Sequence, residues 1–216
     1  AHLLNVNERF FLIDCGEGTQ IQLRKFKTKF TRINHIFISH SHGDHVFGLF
    51  GLLSSFNLLG RKADLHIYGS AELEKMISFF QDNFRHGEGF NIVLHDTGQR
   101  GKKRIYEDKN IEVFSFPLKH RIPTTGFLFI EKEPKPNLRK DIVKKYNPGI
   151  ENIANILKGG DLELEDGTMI PHNDLILPKW KKRSYAYCSD TAFYPSLKKY
   201  IKDVNLLYHE STFSED

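Results

Sequence analysis

An apolar run, Ile33-Asn34-His35-Ile36-Phe37-Ile38, empties directly into Ser39-His40-Ser41-His42-Gly43-Asp44-His45. Few folds tolerate a buried strand that ends in three imidazoles and a carboxylate within six positions. Protonated, the rings repel one another; neutral, they gain little from packing. A metal ion removes the conflict, because it binds neutral imidazole nitrogens and carboxylate oxygens. In the pattern His-x-His-x-Asp-His, alternate residues can point the same way. His40 and His42 are therefore expected to face one ion, and Asp44 with His45 a second beside it. Gly43 is expected to permit the tight turn between the two pairs.

Two further candidate ligands follow strands, where a rigid sheet can aim a side chain. His120 comes after Phe114-Ser115-Phe116-Pro117-Leu118, and Asp190 after Tyr185-Ala186-Tyr187-Cys188. The set predicts His40, His42 and His120 on one zinc, Asp44 and His45 on the other, and Asp190 bridging them; the same donors also accept manganese or iron. Paired divalent ions make water nucleophilic near neutral pH, which suits attack at phosphorus. Asp14 precedes a glycine-rich turn and is equally suited to capping that turn or to supporting the metal loop from behind. His209 and Glu210 alternate in direction after the last strand, so one can reach the site while the other makes supporting contacts. Cys188 suits a small buried apolar residue. His2, His35, His66, His86, His95 and His172 have no ligand-like company in the sequence and read as ordinary residues.

The 216 residues suit one domain, or one domain with an insertion. No apolar stretch is long enough to span a bilayer, and no signal peptide precedes Ala1. Cys15 and Cys188 are the only cysteines, which fits a reducing, cytoplasmic setting better than a disulfide framework. The formal charge of +4 is weak evidence for a nucleic-acid partner, but its distribution is more telling. Arg24, Lys25, Lys27, Lys29 and Arg32 form one run without an acid, and Lys179, Lys181, Lys182 and Arg183 another. Beside a metal site suited to phosphate chemistry, these runs favour RNA or DNA. Strand patterns at 10–13, 36–38, 65–68, 92–94, 103–106, 111–116, 126–130, 185–188 and 204–208 combine with helical patterns at 19–26, 46–59 and 70–80. That order predicts a layered α/β fold with two sheets. The segment 132–183 breaks the rhythm with five prolines and the pair Gly159-Gly160 around two short helices, 137–146 and 150–158, and is expected to project as an insertion.

Five stretches, taken in order, resemble successive motifs of the metallo-β-lactamase superfamily. They are Leu12-Ile13-Asp14-Cys15-Gly16-Glu17-Gly18-Thr19, the Ser39 to His45 loop, Pro117-Leu118-Lys119-His120-Arg121, Cys188-Ser189-Asp190-Thr191 and His209-Glu210-Ser211-Thr212-Phe213. More narrowly, the Lys-His-Arg setting of His120 and the His209 cluster resemble the tRNase Z family, which removes the 3′ trailer from precursor tRNA. The aromatic phrasing around Tyr185 looks most like its Bacteroidetes members. The resemblance implies an αββα four-layer sandwich with two zinc ions between the sheets. It also implies that Asp44 accepts a proton from the attacking water and that Glu210 works with a histidine to protonate the departing 3′ oxygen. The insertion 132–183 would be the arm that grips the tRNA elbow, commonly across a homodimer.

Three departures accompany the resemblance. Asn147-Pro148-Gly149-Ile150 stands where many members carry Gly-Pro-Leu. The sequence begins without the family's opening strand and glycine turn, and it stops shortly after the His209 cluster. The family's last zinc-ligating histidine and the histidine that pairs with the glutamate would then lie beyond Asp216. Two alternatives stay open at this point: a hydrolase of the same fold acting on a small substrate, and a metal-poor RNA-binding fragment.

Overall fold

Hydrophobic residues recurring with a period of two build two sheets, each covered by helices on its outer face. The computed structural model describes residues 1–84, 89–98, 100–133, 136–177 and 181–211; His86, Pro134, Pro178, Lys179, Thr212 and Phe213 lie outside them. The first sheet and its helices run β1 (His2–Val6), β2 (Arg9–Ile13), α1 (Thr19–Lys25), β3 (Ile33–Phe37), α2 (Gly43–Leu58), β4 (Leu65–Gly69), α3 (Ala71–Phe84) and β5 (Ile92–Asp96). Its strands lie side by side in chain order. β1 and β2 form an antiparallel hairpin, and β2 to β5 are parallel. The second sheet begins with the antiparallel strands β6 (Lys103–Glu107), β7 (Ile111–Leu118) and β8 (Thr124–Glu131).

Alternation then sorts the side chains into layers. Leu12, Ile36 and Ile67 point outward to meet Val46, Leu49, Leu52 and Phe56 of α2 and Leu73 and Ile77 of α3. Their neighbours Phe11, Ile13, Phe37 and Tyr68 point inward, onto Val113, Phe127 and Phe129 of the second sheet. Phe116 and Leu128 point away again, to pack under Leu197 and Tyr200. Helix, sheet, sheet and helix follow in order, the αββα sandwich expected from the sequence.

Residues Lys132–Lys182 form a compact unit of their own. It contains α4 (Lys140–Tyr146), α5 (Ile150–Leu157), the two-stranded β9 (Leu162–Glu163) and β10 (Met169–Ile170), and α6 (His172–Leu175). Ile156, Leu162, Leu175 and Ile176 are buried together, with Leu138, Ile142 and Ile170 against them. Asn147, in the left-handed conformation at φ 41°, ends α4 and turns the chain through Pro148 into α5. The first unit then resumes with β11 (Ser184–Cys188), α7 (Lys198–Ile201) and β12 (Leu206–His209), giving the strand order β12-β11-β8-β7-β6. No helix among the described residues is long and apolar enough to cross a membrane.

Three details depart from the sequence reading. β1 pairs with β2 through Asn7 and Glu8, both left-handed at φ 49° and 63°. That is the backbone of a two-residue hairpin turn, built here without the glycine that usually announces one. Helix α2 begins at Gly43, three residues before the apolar pattern at Val46, so Asp44 and His45 occupy its first turn. A carboxylate is favoured there by the helix dipole, which explains why a polar stretch can be helical. Gly43 itself has no positive φ. A Cβ at that position would stand 2.4 Å from the exposed Phe47 ring, which would have to turn aside to admit it.

Candidate metal centre

Strands β2 and β3 are parallel, β7 and β11 both run antiparallel to β8, and β12 runs parallel to β11. Each therefore delivers its C-terminal residue to the same end of its sheet: Asp14 after β2, Ser39 and His40 after β3, His120 after β7, Asp190 after β11 and Glu210 after β12. The two ends meet, with the Thr125 N–H donating to the Ser39 carbonyl at 2.9 Å.

Four of the predicted ligands converge. The ligand atoms of His40, His42, His120 and Asp190 all lie within 4.8 Å of one another, the one such group of three or more among the described residues. His42 Nδ1 is 3.0 Å from His40 Nε2 and 3.4 Å from His120 Nε2. Tetrahedral zinc with bonds of about 2.0–2.1 Å to nitrogen holds its ligands about 3.3 Å apart, so these separations fit a divalent ion. Asp190 Oδ2 stands slightly farther out, at 3.8 Å from His40 Nε2 and 3.9 Å from His120 Nε2. Burial, followed by the nearby His45, pushes the His40 pKa down to about 4 and keeps the ring neutral, as a ligand must be.

A second, smaller group adjoins the first. His45 Nε2 lies 3.3 Å from Asp44 Oδ2 and 3.3 Å from Asp190 Oδ1. Asp190 thus turns one oxygen to each group, the geometry expected of a bridging carboxylate. Burial alone would lower the His45 pKa, but the Asp14 hydrogen bond and the surrounding carboxylates outweigh it and raise the value.

Behind both groups stands Asp14, buried and left-handed at φ 56°. Its Oδ1 accepts the Ser39 N–H at 2.7 Å. Its Oδ2 accepts the Ser39 hydroxyl at 2.9 Å, the Tyr187 hydroxyl at 2.7 Å and His45 Nδ1–H at 2.8 Å. Ser39 Oγ in turn sits 3.0 Å from His40 Nδ1. One carboxylate therefore fixes the outer nitrogens of two histidines and leaves their Nε2 atoms facing inward. Of the two functions open in the sequence, these bonds are those of support for the metal loop: the carboxylate is turned to Ser39, His45 and Tyr187 and not to the glycine turn that follows it.

The loop that carries Asp14 is locked to α2 by two glycines. A Cβ on Gly16 would stand 2.0 Å from the Asp44 carbonyl oxygen, and one on Gly48 2.0 Å from the Gly16 carbonyl oxygen. Cys15 N–H donates to the His45 carbonyl at 2.8 Å across this contact.

Glu210 is half-buried, and its Oε1 accepts the N–H of Thr191, the residue after Asp190, at 2.7 Å. Thr191 Oγ1 accepts the Lys119 N–H at 3.1 Å, tying the loops of His120 and Asp190 together. His209 is exposed, and its Nδ1 donates to the Glu210 carbonyl at 2.6 Å, so it engages the backbone and not the histidine cluster. Cys15 and Cys188 are buried, and burial pushes both thiols up to about 12, so neither offers a thiolate.

Three of the remaining histidines keep company with one another, though not as a group of three converging ligand atoms. His35, His66 and His95, one on each of β3, β4 and β5, form a second cluster: His35 stacks on His66 at 5.0 Å, and His66 Nδ1 meets His95 Nε2 at 2.9 Å. Ser39, Tyr187, Thr191 and Gly48 carried no assigned role in the sequence, and Gly16 only that of a turn. Tyr187 reaches Asp14 from 173 positions away, a separation that no local pattern announces.

Known proteins resemble this chain in sequence and in structure. The family described as Anti-Pycsar protein Apyc1 matches residues 1–89, which hold the first four strands of the first sheet and the histidine loop. The ribonuclease Z of Phocaeicola vulgatus is 45% identical over 215 residues, covering 100% of this chain and 70% of that protein. The ribonuclease Z of Bacteroides thetaiotaomicron is 42% identical over 215 residues, covering 100% and 68%. Among solved structures, human tRNase Z, short form, gives a TM-score of 0.64 at 25% identity, covering 99% of this chain and 71% of that one. The metallo-β-lactamase fold protein YhfI of Bacillus subtilis gives 0.56 at 14% identity, covering 95% and 61%, and speaks for the fold alone.

Proposed function

The chain belongs to the ribonuclease Z family, built on the metallo-β-lactamase fold, and from that premise we propose that it removes the 3′ trailer of precursor tRNA as a zinc-dependent endoribonuclease. The observation that carries this reading is the converging set His40, His42, His120 and Asp190, with Asp190 turned also toward His45 and Asp44. The first three histidines and Asp190 would hold one zinc, and His45, Asp44 and Asp190 a second. When bound, the ions supply the Lewis acidity that makes water a nucleophile near neutral pH.

The protein's own groups then manage protons. The Asp44 carboxylate accepts the proton of the attacking water as its oxygen bonds to phosphorus. The bond from phosphorus to the tRNA 3′ oxygen breaks, and Glu210, working with a histidine, supplies the proton that oxygen needs. The products are a tRNA with a 3′-hydroxyl and a trailer with a 5′-phosphate. Asp14 positions His45 and, through Ser39, His40; it acts through them and not on substrate. The unit Lys132–Lys182 serves as the arm that grips the tRNA elbow, and the protein works as a cytoplasmic homodimer. Exposed Lys140, Lys144 and Lys145 on α4 suit phosphate contacts.

Incubation of the zinc-loaded protein with a 3′-extended pre-tRNA, followed by end mapping, tests the reading. Cleavage that leaves a 3′-hydroxyl on the tRNA is expected. Turnover of an aryl phosphodiester without any RNA cleavage would make this a hydrolase for small substrates.

A further inference from the structure

Between Glu17 and Asp44 the sequence holds no carboxylate side chain, and Arg24, Lys25, Lys27, Lys29 and Arg32 put five positive charges into nine positions. All five are exposed. Arg32 is paired with Glu8 at 3.0 Å, whereas Arg24, Lys25, Lys27 and Lys29 meet no carboxylate among the described residues. In their midst Phe26 is 72% exposed, and Ile21, four residues before Lys25 on the same helix, is 68% exposed.

This tip is built to be rigid. Helix α1 closes with Lys27 N–H on the Arg24 carbonyl at 2.9 Å and Thr28 N–H on the Leu23 carbonyl at 3.0 Å, the Thr28 hydroxyl adding a second bond to the Leu23 carbonyl at 2.6 Å. Lys27 takes the left-handed conformation, φ 52°, which this closure normally gives to glycine. A lysine kept there, next to an exposed phenylalanine, is an odd choice for a surface that does nothing. The tip also stands near the reaction. Gly16, in van der Waals contact with the backbone of Asp44, lies three residues before α1, and the seven residues of that helix rise only about 10 Å.

We propose that Lys25, Phe26, Lys27 and Lys29 bind the single-stranded 3′ trailer as it leaves the metal centre, Phe26 stacking on an unpaired base and the lysines following its phosphates. The proposal rests on the ribonuclease Z reading and names a part of the substrate that reading leaves unplaced. An RNA duplex shows phosphates and hydroxyls but hides its base faces, so an exposed phenylalanine gains nothing from one; an unpaired base offers its face. A second copy of the chain is a poor occupant, because a two-fold contact would set these unpaired cations against themselves.

The test compares pre-tRNAs that carry a one-nucleotide or a long unstructured trailer. Phe26→Ala should raise KM for the long trailer roughly tenfold, as loss of one base–aromatic stack does, and leave the short one within about twofold. The double variant Lys25→Gln, Lys29→Gln should lower the salt dependence of long-trailer binding by a log–log slope of roughly 1.4, for two contacts to a single strand. All three side chains are exposed, so folding is not at stake. Equal losses on both substrates, or none on either, would overturn the proposal; so would a change in sedimentation of the RNA-free protein on Phe26→Ala, which would mark a contact between copies. Fluorescence anisotropy with an unstructured oligoribonucleotide reads the tip without cleavage. If the parent cuts no pre-tRNA, the catalytic reading falls; the tip proposal falls if the variants bind the oligonucleotide as tightly as the parent.

Discussion

Replacing Asp14 by asparagine exchanges one oxygen for an NH₂ group and should disable the metal centre. The carboxylate accepts on both sides: from the Ser39 N–H at Oδ1, and from His45 Nδ1–H and the Ser39 and Tyr187 hydroxyls at Oδ2. A hydroxyl can turn and accept instead, but a backbone N–H cannot. The amide oxygen of an asparagine will therefore go to Ser39 N, and its NH₂ will face His45 Nδ1. Two donors in opposition are relieved only if His45 moves its proton to Nε2, the nitrogen that faces Asp44 and Asp190. The ring then has no lone pair for a metal. The reverse amide orientation spares His45 but strands the buried Ser39 N–H, at about 1–3 kcal/mol.

The orientation that keeps the Ser39 N–H bonded avoids that cost, so Asp14→Asn should weaken zinc binding at the His45 group about 10–100-fold, while the protein stays folded. Tyr187→Phe removes one of the four bonds and leaves the His45 contact intact, so its effect should be much smaller. Competition with a chromophoric chelator gives the affinities, and side-chain ¹⁵N spectra of the histidines give the tautomer. If Asp14→Asn binds two zincs as tightly as the parent and His45 keeps its proton on Nδ1, Asp14 does not set the tautomer and the reasoning fails.

Gly48→Ala places a methyl 2.0 Å from the Gly16 carbonyl oxygen and 3.0 Å from that of Cys15, and should destabilise the fold by about 1–3 kcal/mol while loosening metal binding. In the same helix Gly51→Ala meets nothing nearer than Gln20 Oε1 at 3.7 Å and should stabilise by up to about 1 kcal/mol; equal urea midpoints for the two variants would contradict the packing argument. Burial, then His66 and His95, pushes the His35 pKa down to about 4 from its ordinary 6.5. The unfolded chain therefore binds the extra proton between pH 6.5 and 4, and stability should fall with pH across that window by up to about 3 kcal/mol. Urea unfolding of His35→Phe should show a flatter acid slope than the parent, and an unchanged slope would assign the loss elsewhere. Excision of residues 132–182 should be tolerated, because Glu131 and Arg183 already meet as neighbours, with Glu131 N–H on the Arg183 carbonyl at 2.9 Å and Arg183 N–H on Glu131 Oε2 at 2.9 Å. An Asn-Gly turn can close β8 onto β11 there. Aryl phosphodiester hydrolysis should survive and pre-tRNA processing should drop severely; equal loss of both would mean that the segment supports the fold.

The layers were legible because burial on two faces leaves its mark on every strand: Phe11, Leu12 and Ile13 alternate between two cores in consecutive positions. Element boundaries were less so. The first turn of α2 is polar because it presents Asp44 and His45, so a pattern based on apolar residues starts the helix three positions late. The β1–β2 turn escaped notice because Asn7 and Glu8 take left-handed backbone without glycine. Ligands were readable and their supports were not. Tyr187 sits among Phe127 and Phe129 in the inter-sheet core and looks like one more buried aromatic; only the fold brings its hydroxyl to Asp14.

Histidine density by itself was not the signal. His35, His66 and His95 lie as close together as the rings of the metal loop, with centroids 5.0 and 5.2 Å apart against 4.7 Å for His40 and His42. The difference lies in how the chain delivers them. One histidine per parallel strand, on the same face of one sheet, sets flat rings side by side in the strand spacing, so His35 and His66 stack at 15° while His66 and His95 tilt by 32°. Rings set side by side in this way meet nitrogen to nitrogen in pairs, as His66 and His95 do. Histidines at alternate positions of a loop, met by a third from the other sheet, cross at 77° and 82° and aim three nitrogens at one point. Convergence from two sheets, with an acceptor such as Asp14 fixing the far side of the ring, is what turns a cluster of imidazoles into a metal site; proximity within one sheet gives packing and an acid-sensitive core.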